Sequence, residues 1–299
     1  MNAKIKAWIG SFRLRTLPLS LSGVILGSFI SELYGKFNLT ICIYALLTTV
    51  FLQVLSNLSN DLGDSLKGTD NDSRQGPTRA MQTNLITKRE MVGMIVVFIL
   101  LSAFSGILLI YNSFDNLFNK DGIYMLVLGG LAIIAAIKYT LGKHAYGYIG
   151  LGDIFVFIFF GLASVFGTFY LYTGIFDPII LMPASSIGLL SIGVLNLNNI
   201  RDIENDKVCG KITIPVRIGE RRAKNYHYFL IGMSGVLMIL YVLFIGSEYF
   251  CLLLLPYSSL IKHLAQVKKL SGRALDSQLK VLSLNTLAFS LFTGFLILI

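Results

Sequence analysis

Asparagines and aspartates crowd two short stretches of this 299-residue chain. The first runs from Asn57 to Arg79 and holds Asn60, Asp61 and Asp64, then Asp70 and Asp72 beyond Gly68. If the apolar segment before it continues as a helix, Asn60 and Asp64 share a face with Asp61 beside them. Carboxylates this close repel one another unless a cation lies among them or some stay protonated. The second stretch, Asn196 to Lys211, also follows an apolar run and puts Asp202 and Asp206 on one helical face. A solvated acidic loop would account for one such cluster. Two of them, each ending a hydrophobic helix, suit Mg²⁺, which takes one or two carboxylates and leaves its other positions to water and substrate phosphate. Asn60, Asp61, Asp64, Asp70, Asp202 and Asp206 are the candidate metal ligands. Arg201, Lys207 and Lys211, interleaved in the second stretch, are placed to meet phosphate oxygens.

The elements that hold these residues must lie in a membrane. The chain is 55% hydrophobic and only 14% charged, with a mean hydropathy of +0.72, which no ordinary soluble domain shows. Apolar runs of roughly 17 to 25 residues are long enough to cross a bilayer. They fall at 17–34, 39–58, 91–111, 122–138, 153–173, 178–198, 226–245, 247–262 and 281–299. The expected fold is therefore all-α and polytopic, with nine transmembrane helices. With the N-terminus inside, this count leaves only Lys36 and Lys120 of the 25 basic residues on the outer side, as the positive-inside rule requires. The net charge of +9 then reflects topology and attraction to anionic lipid, not nucleic-acid binding.

The three cysteines argue against a disulfide framework, with Cys42 and Cys251 in apolar spans and Cys209 in a polar loop. Residues 1–15 set Trp8, Ile9 and Phe12 among Lys4, Lys6, Arg13 and Arg15, which suits a helix lying in the cytoplasmic interface. That segment lacks the uninterrupted apolar core and small-residue cleavage site of a signal peptide. Residues 1–299 read as one domain, whose longest polar segments, 59–89 and 201–224, carry the candidate chemistry. Those segments follow helices two and six, so both emerge on one side. A parallel repeat of four helices plus a ninth would let the half-sites face each other across a central cavity.

At these residues the chain resembles the UbiA-type intramembrane aromatic prenyltransferases. Asn60-Asp61-x-x-Asp64 with Gly68-x-Asp70, and Asn199-x-Arg201-Asp202-x-x-x-Asp206, look like that family's two aspartate-rich motifs. Arg13-x-Arg15-Thr16-Leu17-Pro18, Gly76-Pro77-x-Arg79-Ala80-Met81-Gln82 and Tyr146-Gly147-Tyr148-x-Gly150-x-Gly152-Asp153 extend the likeness over nearly the whole chain. The third aspartate of the first motif is displaced to Asp70, behind a glycine, as in the menaquinone branch.

The resemblance implies Mg²⁺-dependent transfer of a polyprenyl group from polyprenyl diphosphate to 1,4-dihydroxy-2-naphthoate, with loss of CO₂ and diphosphate, giving demethylmenaquinone at a bacterial cytoplasmic membrane. It gives catalytic roles to Asp64, Asp202 and Arg201, and makes Tyr139 and Lys143 the best matches for a tyrosine and lysine near the diphosphate and reacting carbon. Interfacial placement and the positive-inside rule explain that Tyr and Lys equally well. Arg79, Asn199, Lys207, Lys211, Tyr148 and Arg15 are implied substrate contacts, with Arg13, Arg15 and Arg79 the cations that could meet the acceptor's carboxylate. His144 reads as a surface residue. Phe155, Phe157, Phe159 and Phe160 are candidates to line an isoprenoid tunnel, where ring faces can stabilise a prenyl cation. Two other readings stand beside this one: a relative with another acceptor, such as 4-hydroxybenzoate, and a cation-coupled secondary transporter, which would place its carboxylates nearer the membrane midplane.

Overall fold

The computed structural model describes residues 2–71, 75–76, 79–83 and 85–299. Asp72 and Pro77 of the motifs above lie outside them. Among the described residues all regular structure is helical, and nine helices are long and apolar enough to cross a membrane.

Local chemistry sets where these helices begin and end. In α1 (Ala3–Phe12) the Asn2 side chain accepts from the Lys4 amide, and the helix stops where Arg13 turns left-handed at φ 48°. Pro18 stands in the first turn of α2 (Leu17–Leu33), where its missing N–H leaves nothing unpaired. Asn38 caps α3 (Leu39–Leu66), and Thr87 and Glu90 form a reciprocal capping box on α4 (Lys88–Phe114). The chain continues through α5 (Lys120–Lys138), α6 (Gly152–Thr173) and α7 (Leu181–Arg201). Two short helices follow, α8 (Ile203–Val208) and α9 (Ile214–Ile218), before α10 (Glu220–Phe244), α11 (Leu254–Lys269) and α12 (Asp276–Leu296).

The helices overrun the apolar runs where polar residues are buried. α3 continues past residue 58 to Leu66 and so carries the first aspartate cluster in its last turns. α12 starts at Asp276, ahead of the apolar run at 281, because Asp276 is paired with Arg15 and Arg201.

The main core gathers Leu26, Phe169, Leu190, Ile231, Tyr241 and Phe289. A smaller one seats Trp8 and Phe12 of α1 on Leu58, Met91 and Phe98 of α3 and α4. Leu100, Phe104, Val127, Leu131 and Phe244 point outward, as lipid-facing residues do. Without a hydrophobic drive between helices in lipid, close approach depends on small residues. α6 meets α7 through Gly161 and Gly188: a Cβ on Gly161 would stand 2.7 Å from the Ala184 carbonyl oxygen. Within α6, residues Phe157–Gly167 take the wider i→i+5 winding of a π-helix. Between these helices lies a cavity of about 390 Å³. Arg13, Asn60, Asp64, Arg79 and Lys211 line its polar end, and Val24, Leu109, Ile110, Met125 and Leu128 its apolar part.

Candidate active site

The last turns of α3 deliver the first half-site. Gly63 lets Thr140 pack against the helix, where a Cβ would stand 2.6 Å from the Thr140 Cβ. The Thr140 hydroxyl then donates to the Ser59 carbonyl at 2.9 Å and reaches Asn60 Oδ1 at 3.3 Å. Beyond the helix, Gly68 turns left-handed at φ +71°, and the Thr69 amide closes on the Asp64 carbonyl at 3.0 Å. Asp61 and Asp64 part company here. Asp61 is fully buried and takes the guanidinium groups of Arg13 and Arg79, the latter at 2.5 Å, while Arg79 Nε lies 3.7 Å from Asp70. Asn60 and Asp64 instead line the cavity.

The second half-site forms where α7 ends. The Arg201 side chain is completely buried and grips Asp202 with two nitrogens, Nη2 at 2.5 Å and Nε at 3.2 Å. Its remaining donors go to Asn198 at 2.9 Å and Asp276 at 2.6 Å, and the second Asp276 oxygen accepts from Arg15 at 3.1 Å. Arg201 is therefore spent on protein carboxylates. After the break at Asp202 the winding resumes, with the Asp206 amide donating to the Asp202 carbonyl at 2.8 Å. Lys211 Nζ stands 3.5 Å from Asp206 Oδ1, whereas Asp206 Oδ2 makes no hydrogen bond among the described residues. Burial pushes the Asp206 carboxyl up to about 6; Asp202 and Asp64 add to the rise and Lys211 opposes it.

Hydrogen bonds join the halves. Asn205 Nδ2 donates to the Thr69 carbonyl at 2.9 Å, the Tyr148 hydroxyl donates to Asp64 Oδ1 at 2.8 Å, and the Ile212 amide donates to the Tyr148 carbonyl at 2.9 Å. The Tyr148 hydroxyl also lies 2.5 Å from Thr69 Oγ1. Burial and the neighbouring Asp64 raise the Tyr148 phenol well above its ordinary value, so it stays a donor. The ammonium of Lys67 sits 3.8 Å above its ring and that of Lys211 5.6 Å from it. Burial holds the Lys67 ammonium below its usual range.

Tyr139 lines the cavity, and burial followed by Asp64 raises its phenol. Gly147 makes room for it, since a Cβ there would stand 2.7 Å from the Tyr139 carbonyl oxygen. Rings then continue inward: Tyr146 is 5.3 Å from Tyr139, Phe155 stacks on Tyr146 at 3.8 Å, and Phe159 follows at 6.3 Å. Phe155, Phe159 and Phe160 line the cavity, and Phe157 turns away against Gly188. Lys143, His144 and Lys207 are exposed and do not line it. Asn199 is buried, with an Oδ1 that finds no hydrogen bond among the described residues.

A family model described as the UbiA prenyltransferase family matches residues 20–292. The chain belongs to that family. Among curated UbiA-type relatives, 1,4-dihydroxy-2-naphthoate octaprenyltransferase of Escherichia coli (strain K12) is 42% identical over 268 residues, covering 89% of this chain and 86% of the relative. The protein of the same name from Haemophilus influenzae is 43% identical, covering 79% of this chain and 77% of its own. A solved UbiA homologue from Archaeoglobus fulgidus, bound to DMAPP and Mg²⁺, superimposes with a TM-score of 0.62 at 18% identity, over 94% of this chain and 98% of that one.

The UbiA-type site also draws on residues the motifs do not announce. Asp276, Asn205 and Thr69 join it through contacts made across 75, 136 and 261 positions of sequence separation. Lys280 and Ser283 line the cavity from α12. Spacing along the chain carries no sign of such pairings. For Asp276 a faint one exists, an acid placed just ahead of an otherwise apolar run.

Proposed function

We propose that this UbiA-family protein transfers a polyprenyl group from polyprenyl diphosphate to 1,4-dihydroxy-2-naphthoate, releasing CO₂ and diphosphate, in the menaquinone pathway. The observation that carries the reading is that Asn60 and Asp64 of the first aspartate motif line the polar end of an apolar cavity with aromatic walls, beside Lys211, which pairs with Asp206 of the second motif. The 42% identity to a dihydroxynaphthoate octaprenyltransferase supports the choice of acceptor.

The donor set fits a hard divalent ion. Asn60, Asp64, Asp202 and Asp206 offer only oxygens, and Asp206 Oδ2 is buried without a hydrogen bond among the described residues. That suits Mg²⁺, which keeps water and substrate oxygens in its shell, and the A. fulgidus homologue is bound to Mg²⁺ with its diphosphate. When bound, the ion neutralises the diphosphate and makes it a better leaving group.

The protein's own part is to position and to shield. Lys211 and Arg79 line the polar end and offer charge-assisted hydrogen bonds to phosphate oxygens. Asp61 and Asp70 hold Arg79 there. Arg201 fixes the Asp202 carboxylate, and Tyr148 fixes Asp64. The prenyl tail lies along the apolar part, with C1 near Tyr146 and Phe155, whose ring faces stabilise positive charge as the C–O bond breaks. The ring carbon bearing the carboxylate then bonds to C1, and CO₂ departs with the electrons of the broken C–C bond restoring the aromatic system. An apolar tail keeps the donor in the bilayer, since each buried CH₂ is worth about 0.8 kcal/mol. The membrane is the bacterial cytoplasmic one, with the N-terminus and the active site facing the cytosol.

The test supplies purified protein with a polyprenyl diphosphate and either dihydroxynaphthoate or 4-hydroxybenzoate, with and without Mg²⁺, and follows products by mass spectrometry. Decarboxylated prenyl-naphthoquinol formed only with Mg²⁺ is the expected result. Prenylation of hydroxybenzoate alone would move the protein to another acceptor, and ion movement without prenylation would favour a transporter.

A further inference from the structure

Resting on that reading, we propose that the last membrane helix supplies the grip on the acceptor's carboxylate, with Lys280 as the cation and Ser283 as the partner of a ring hydroxyl. Each of the cavity's other cations already faces a carboxylate, and Arg79 and Lys211 are also the groups assigned above to the phosphate oxygens. Arg13 and Arg79 lie on Asp61, Arg15 on Asp276 and Lys211 on Asp206. Lys280 is exposed but, unlike Lys143 and Lys207, lines the cavity, and among the described residues no carboxylate comes within ion-pair distance of it. Its nearest acid along the helix, Asp276, is already shared by Arg15 and Arg201.

Ser283 supplies a second, independent sign. It is 2% exposed, it lines the same cavity, and its hydroxyl finds no partner among the described residues. Ser28 of α2 and Ser191 of α7 instead bond a carbonyl one turn back, at 2.9 and 2.8 Å, while Ser164 of α6, which also lines the cavity, is like Ser283 without a partner among the described residues. A buried hydroxyl left unpaired is costly, so one that faces a cavity is suited to a ligand's polar group. Residues 280 and 283 share a face of α12, and Leu279 beside them and Leu195 of α7 also line the cavity. Asn198 adds a carboxamide whose oxygen is tied to Arg201, leaving its NH₂ as a donor. A cation, a hydroxyl and aliphatic walls together fit a flat aromatic acid bearing a phenolic hydroxyl. They place it in the cavity that Asn60 and Asp64 of α3 also line.

The decisive measurement is binding of 1-hydroxy-2-naphthoate, a stable analogue, to the full-length detergent-purified protein without donor or Mg²⁺, followed by calorimetry. Lys280→Gln should weaken binding by about tenfold or more, while 1-naphthol, which lacks the carboxylate, binds both proteins alike. Lys280→Arg should restore most of the affinity, and Ser283→Ala should weaken both ligands a few-fold. In turnover, Lys280→Gln should raise KM for the naphthoate and leave KM for the polyprenyl diphosphate unchanged. Wild-type affinity in Lys280→Gln would overturn the proposal while the prenyltransferase reading stands. A wild-type protein that neither binds nor prenylates an aromatic acid would overturn both.

Discussion

Asp61 and Asp64, less than one turn apart on α3, do different work. Asp61 is enclosed by two guanidinium groups, and Asp64 faces the cavity with Tyr148 donating to it. Asp64→Asn should therefore reduce turnover by about a hundredfold or more with little change in thermal unfolding. Asp61→Asn takes away the carboxylate that Arg13 and Arg79 share, leaving Arg79 its longer contact with Asp70, and should cost about 3 kcal/mol of stability, seen as a lower unfolding midpoint of the detergent-solubilised protein. Asp206 adds a pH dependence. Its carboxyl is raised to about 6 by burial, so below that value it carries a proton that a divalent ion must displace. The apparent Mg²⁺ affinity, read from activity titrations, should fall as pH drops through 6, by up to about tenfold per unit for one displaced proton. Asp206→Asn should flatten that part of the profile. Both aspartate clusters were legible because charge is rare in so apolar a chain. Which of two neighbouring acids meets an arginine depends on Arg13 and Arg79, brought in from other segments, and no spacing rule reveals that.

At the scale of elements, the nine spans were legible from apolar length alone. Their ends were not, because α3 and α12 continue through polar residues that find partners inside the fold. The winding of α6 was hidden too. A regular α-helix would put Phe155 and Ser164 on opposite faces, whereas with the π segment between them both line the cavity. This helix depends on its glycine seam with α7. Gly161→Val would drive side-chain atoms into the Ala184 carbonyl and the Gly188 backbone, forcing the two helices apart. We expect destabilisation of about 1–3 kcal/mol, together with loss of turnover as the ring path from Tyr146 to Phe159 shifts. Gly129→Val, at a position where an added Cβ meets nothing within 4 Å, is the control and should leave the unfolding midpoint near that of the wild type.

For the whole molecule, the two halves each present an oxygen-rich cluster at the end of their second helix, and contacts across the interface between halves make one site of them. The basic residues argue that this end faces the cytosol. Lys207 and Lys36 are both exposed and lie at opposite ends of the bundle by that reading. In a cysteine-free background, Lys207→Cys should react with an impermeant maleimide in inside-out vesicles and Lys36→Cys in right-side-out ones; the reverse pattern would invert the topology. The central claim is that both aspartate motifs hold one diphosphate. Binding of a non-reactive prenyl thiolodiphosphate, measured with and without Mg²⁺ in wild type, Asp64→Asn and Asp206→Asn, tests it most directly. Mg²⁺-dependent binding in the wild type, lost in each single variant, is the result expected of one shared site; a variant of either motif that keeps full Mg²⁺-dependent affinity would contradict it.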